Sequence, residues 1–131
     1  MCDNEVINWE YIEKINWKTE SLIHTELTDA DIWNIAKRTS VGKDFESWIE
    51  KKAEELIDVL ANYYSCMYGS NCKHPLQGDD FMDMIYHIIG CGHHEYDSCM
   101  STPALVDMLY LDGVTRYKKG FRKVASLLKK K

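Results

Sequence analysis

The stretch "DFESWIEKKAEELIDVLANYYSCMYG", from Asp44 to Gly69, constrains the fold of this chain more than any other. Phe45, Ile49, Ala53, Leu56, Leu60, Tyr64 and Met67 recur at steps of three and four, the period of an amphipathic helix. At 1.5 Å per residue such a helix is about 35 Å long, the span of a small domain. Gly69 is a natural stop. A helix of that length can bury its apolar stripe only against other helices or a sheet. No alternating strand pattern accompanies it.

The remaining segments read as helices too. "TDADIWNIAKR" has Thr28 as N-cap and Asp31 three positions on. "DDFMDMIYHIIG" places Phe81, Met84, Ile85 and Ile88 on one face, with Asp79 or Asp80 as cap and glycines 90 and 92 as terminators. "HHEYDSCM" is a short helix. "TPALVDMLYLDG" opens on Thr102 as N-cap, with Pro103 at the first helical position. Asp112-Gly113 makes a turn. In the first segment, "VINWEYIEKINW", Ile-Asn-Trp occurs twice, and the apolar phase is poor. The expected fold is all-α, an irregular bundle of about six or seven helices. At 131 residues it forms a single domain, with residues 1–43 as a helical lead-in and residues 114–131 as a basic C-terminal helix.

Charge is unevenly placed. Residues 1–113 carry all 21 acids and 8 of the 16 basic residues, a net of −13. Residues 114–131 carry the other 8 basic residues and no acid. An acidic body repels nucleic acid and suits basic partners. In the tail, Tyr117, Phe121, Val124, Ala125 and Leu128 form an apolar face that packs on the body. No apolar run approaches the roughly 20 residues that span a bilayer. The acidic start, "MCDNEVINWE", has no apolar signal-peptide core. An odd count of five cysteines favours free thiols in a reducing compartment, so the expected location is cytoplasmic.

The stretch "GDDFMDMIYHIIGCGHHEYDSCMSTPALVD" resembles the signature of a bacterial family, domain of unknown function number 4240. Phe81, Met84, Ile88, Ile89, Gly92, Tyr96, Pro103 and Leu105 fall close to its spacing, over residues 78–107. Ile85 and His87 stand where that family usually has Arg and Trp. The matching positions are apolar, Gly and Pro, so the resemblance implies a helical domain and no activity.

Chemistry is concentrated in two places, "CMYGSNCKHP" and "GCGHHEYDSC". The C-x-H pairs Cys72/His74 and Cys91/His93 could place thiolate and imidazole on one zinc ion from a turning backbone. No C-x₂-C or H-x₃-H supports them, and Cys66 and Cys99 read as small core residues. "EELID", Glu54 to Asp58, resembles one acidic motif of the all-α nucleotide pyrophosphohydrolases, which bind magnesium through clustered carboxylates. A magnesium-dependent nucleotide hydrolase would use Glu55, Asp58, Asp80 and Asp83. The preceding E-x-x-E of that family has no counterpart at suitable distance. Asp80, Asp83 and His87 share a helix face, and Cys91 lies beside His87 and His94. No third residue orients a Cys–His pair.

The expectation is therefore a small acidic interaction protein and not an enzyme. It resembles, in composition alone, bacterial immunity proteins and phage-encoded inhibitors of host defence, which cover a basic surface of a protein partner. The candidate docking residues are Glu46, Glu50, Glu54, Glu55 and Asp58, off the apolar stripe of the long helix. Nucleic acid and membrane are not expected partners, and no cofactor is expected unless the Cys/His set holds zinc.

Overall fold

The structure, a computed structural model, describes residues 3–15, 30, 33–34, 37, 41–42, 44–69, 78–106 and 120–129. Six helices follow one another among them: α1 (Asp3–Ile15), α2 (Phe45–Tyr68), α3 (Gly78–Gly90), α4 (His93–Ser101), the single turn α5 (Ala104–Val106) and α6 (Gly120–Lys129). No strand occurs among the described residues, and the fold is all-α. Of the segment expected to begin at Thr28, Ala30, Trp33, Asn34 and Lys37 are described and are helical, whereas the turn at Asp112-Gly113, and Cys72 and His74, lie outside the described residues.

Helix α2 buries Phe45, Ile49, Ala53, Leu56, Leu60 and Tyr64, six of the seven stripe positions. Met67, the seventh, is instead 59% exposed. Cys66 and Tyr68, in the same last turn, are exposed as well. Gly69 ends the helix at φ 106°, and its N–H closes the last turn on the Ser65 carbonyl at 3.1 Å.

Helix α3 is the centre of the molecule, packed between α2, α4 and α6. Met84, Ile85, Ile88 and Ile89 are fully buried, while Phe81 is only half-buried against the same core. Burial reaches beyond the apolar stripe: Asp83 and His87, expected on a polar face, are buried too. Its start at Gly78 puts Asp79 and Asp80 inside the first turn and not at the cap.

The link from α3 to α4 is two residues long. Cys91 N–H donates to the His87 carbonyl at 3.0 Å and Gly92 N–H to the Ile89 carbonyl at 3.0 Å. Gly92, at φ 113°, then accepts from Tyr96 N–H at 3.0 Å and starts α4. This tight reversal sends Tyr96 and Cys99 into the core. Thr102 and Pro103 shape the next turn through carbonyls that accept from Leu105 and Val106. Thr102 is the C-cap of α4 as well as the entry to α5, and the rest of the helix expected up to Gly113 lies outside the described residues.

Helix α1 explains its own poor apolar phase. Asn8, Trp9 and Ile12 are buried while Val6 and Ile7 are exposed, so apolar residues lie on both sides. The C-terminal helix α6 packs on α3 and α2, with Leu128 buried and Ala125 and Leu127 half-buried. No helix among the described residues is long and apolar enough to cross a membrane.

Candidate functional site

The docking residues expected on α2 separate into two groups. Glu50, Glu54 and Asp58 are exposed. Glu46 and Glu55 are half-buried. The four-residue spacing of Glu46, Glu50, Glu54 and Asp58 makes one row about 18 Å long, turning about 40° at each step. Lys51 stands exposed beside the row, three residues before Glu54. Lys52 turns inward, its side chain 13% exposed.

Lys52 is the hub of a seam that joins α1, α2 and α4. Its amine is ion-paired with Glu5 of α1 and lies 3.5 Å from Glu55. It also lies 5.8 Å from the ring centres of both Trp48 and Tyr96. A cation over an aromatic face adds roughly 0.5–1 kcal/mol at such partly open sites. The Tyr96 hydroxyl donates to the Lys52 carbonyl at 3.0 Å and to Glu55 Oε1 at 3.3 Å. Trp9 fills the middle: edge-on to Trp48 at 4.8 Å, parallel to the His93 ring at 4.7 Å and tilted to Tyr96 at 5.4 Å. None of this was visible as a motif, because its parts come from positions 5–9, 48–55 and 93–96.

The electrostatics of the seam follow from this geometry. Burial draws the Lys52 amine down, but hydrogen bonding and charge from Glu5 and Glu55 outweigh it and hold the amine above its usual range. The hydrogen bond from Lys52 keeps the Glu5 carboxyl low, against partial desolvation. The Trp48 indole N–H helps from outside strict hydrogen-bond geometry. Burial, followed by the Glu55 carboxylate, pushes the Tyr96 phenol well up. None of these groups is tuned to exchange protons near neutral pH.

Two of the four carboxylates considered for magnesium, Glu55 and Asp83, have partners within the chain. Asp83, its side chain 8% exposed, accepts from Arg122 of α6 at 3.2 Å. The same guanidinium nitrogen reaches Asp79 Oδ1 at 3.3 Å. Glu55 takes Lys52 and the Tyr96 hydroxyl, whereas Asp58 is exposed on the outer face of α2. The side chain of Asp80 lies outside the described residues. Opposite charge from the chain itself thus occupies Glu55 and Asp83, the two described ones that approach the interior.

Of the zinc candidates, Cys91 is buried at the α3–α4 reversal. His93 is exposed, stacked on Trp9 and 3.1 Å from Asp97. Cys99 is fully buried, and burial with the nearby Glu95 raises its thiol to about 12. Cys66, read as a core residue, is exposed in the last turn of α2. Among the described residues no three His, Cys, Asp or Glu side chains converge as metal ligands.

No family model, curated protein or solved structure matches the chain, and none bears on the likeness of residues 78–107 to the family 4240 signature.

Proposed function

We propose that this chain is a non-catalytic interaction protein that covers a basic surface of a protein partner with the outer face of α2. This is the way an immunity protein or a phage-encoded inhibitor of host defence works. The observation that carries the reading is the exposure of Glu50, Glu54 and Asp58 at four-residue intervals on one helix. Like charges at that spacing oppose each other by about 0.2–0.5 kcal/mol per pair. Solubility needs acids on the surface but gains nothing from stacking them. A partner with a complementary basic surface turns the same row into faster, oriented association. The row supports a basic protein surface as the partner's chemistry.

The experiment reverses the row. The triple variant Glu50→Lys, Glu54→Lys, Asp58→Lys keeps its helical circular dichroism, because exposed charges contribute little to stability. A protein captured from bacterial lysate by immobilised wild type, and released by salt, associates more slowly with the variant. Its association rate also loses salt dependence, since steering is screened over about 8 Å at physiological ionic strength. A wild type that captures nothing beyond what the variant captures, or equal rates across salt, removes α2 as the docking face.

A further inference from the structure

The seam between α1 and the rest of the molecule combines strong packing with poor polar satisfaction. Asn8 is 1% exposed and Trp9 5% exposed, yet neither Asn8 Nδ2 nor Trp9 Nε1 finds a hydrogen-bond acceptor among the described residues. A buried N–H without an acceptor loses its water and gains nothing for it, and lifting the helix returns that water. The ionic tie that holds the helix down is itself half in solvent: the Glu5 side chain is 42% exposed. The outer face of α1 adds no holding contact at Val6 and Ile7, 59% and 43% exposed. Among the described contacts that hold it are those of Trp9 and Ile12 with the core and of Tyr11, edge-on to Phe45 at 5.5 Å.

We propose that α1 is a strap that lifts from α2 and α4 as one unit within the folded protein, with the Glu5–Lys52 pair as its catch. The rest of the core is built around α3, which packs against α2, α4 and α6. In the open form Trp48, Lys52 and Tyr96 become a cationic aromatic surface. Lys52 then keeps Glu55 as its neighbour and loses Glu5. Salt favours the open form, because the catch is partly exposed and therefore screened. Elements that open this way exchange their amide hydrogens ahead of global unfolding.

The test is hydrogen exchange by mass spectrometry on the full chain, at low and high salt, comparing residues 3–15 with residues 78–90. Relative to unstructured rates, residues 3–15 are expected to exchange at least about tenfold faster than residues 78–90, together and not in a gradient from one end. Higher salt widens the gap. Lys52→Met widens it further by removing the catch. Asn8→Leu narrows it, because an apolar side chain of similar size fills the place of an amide that has no acceptor for its N–H. Equal protection of the two segments in wild type means that α1 opens only with the whole protein and overturns the strap. A gradient inward from Asp3 is end fraying and overturns it as well. A well-folded Asn8→Leu variant with unchanged or faster α1 exchange removes the unsatisfied amide as a driving term. The wild-type salt comparison decides the matter if Asn8→Leu fails to fold, and a gap that ignores salt overturns the catch.

Discussion

Arg122 and Asp83 meet at 3.2 Å across 39 residues of sequence, and the pair ties the basic C-terminal helix to the most buried helix of the molecule. Burial opposes the Arg122 charge, yet the hydrogen bonds to Asp83 and Asp79 hold its proton above the usual range. Among the described residues of the tail, Arg122 thus turns its charge onto the body of its own chain.

Breaking that tie strands Asp83. Arg122→Met is expected to lower stability by about 1–3 kcal/mol, the range for a hydrogen bond to a charged group with its partner left buried. Arg122→Lys recovers only part: one nitrogen, Nη1, serves both Asp79 and Asp83, which an ammonium can also do, but the lysine stem is shorter. Urea unfolding followed by circular dichroism reads both. A midpoint for Arg122→Met equal to wild type would mean that solvent already screens the pair.

The centre of the core lies in α3. Ile85→Ala is expected to cost about 2–5 kcal/mol, since Ile85 has no exposed surface and its neighbours are equally enclosed. Phe81→Leu on the half-buried side of the same helix costs less. An Ile85→Ala variant as stable as Phe81→Leu would place the core elsewhere.

Alkaline pH loosens the Lys52 seam. Lys52 holds its proton more tightly folded than unfolded, so its stabilisation is complete below 10.5 and fades as pH climbs through the higher folded value. Tyr96 behaves alike from its ordinary 10.0 upward. Glu5 works at the other end, with a contribution present above its ordinary 4.5 and lost as pH falls through the lower folded value. Urea midpoints are expected to hold from pH 6 to 9 and fall above about 10. In Tyr96→Phe the alkaline fall is shallower. A midpoint flat through pH 11 would deny both raised groups.

Thiol chemistry separates the cysteines. Cys66 is exposed and should be alkylated by iodoacetamide in the native protein at neutral pH. Cys99, buried and raised to about 12, should be labelled only in denaturant. Peptide mapping distinguishes them. Native labelling of Cys99 at the rate of Cys66 would contradict the packing of α4.

Period alone made α2 and α3 legible, because a stripe of apolar residues at steps of three and four has one structural meaning. Met67 escaped that logic: periodicity says which face a residue occupies, not whether another helix reaches that far. His87 and Asp83 escaped it in the other sense, since three helices around α3 enclose its polar side as well. Helix α1 looked ambiguous because Val6 and Ile7 point outward while Asn8 goes in. The outward row Glu50, Glu54 and Asp58 could be read in the sequence. The Lys52 seam could not, since Glu5, Trp9, Lys52 and Tyr96 share no local pattern.

Gly69 carries a constraint of handedness and not of space. A β-carbon built there meets nothing within 4 Å, yet the backbone sits at φ 106°. An L-alanine would fit the volume and strain the chain. A D-alanine, whose steric map is the mirror image, removes the penalty on positive φ and narrows the choices of the unfolded chain. In a synthetic or semisynthetic protein, the mirror-image residue is thus the one replacement that should make the end of α2 firmer than nature's achiral one.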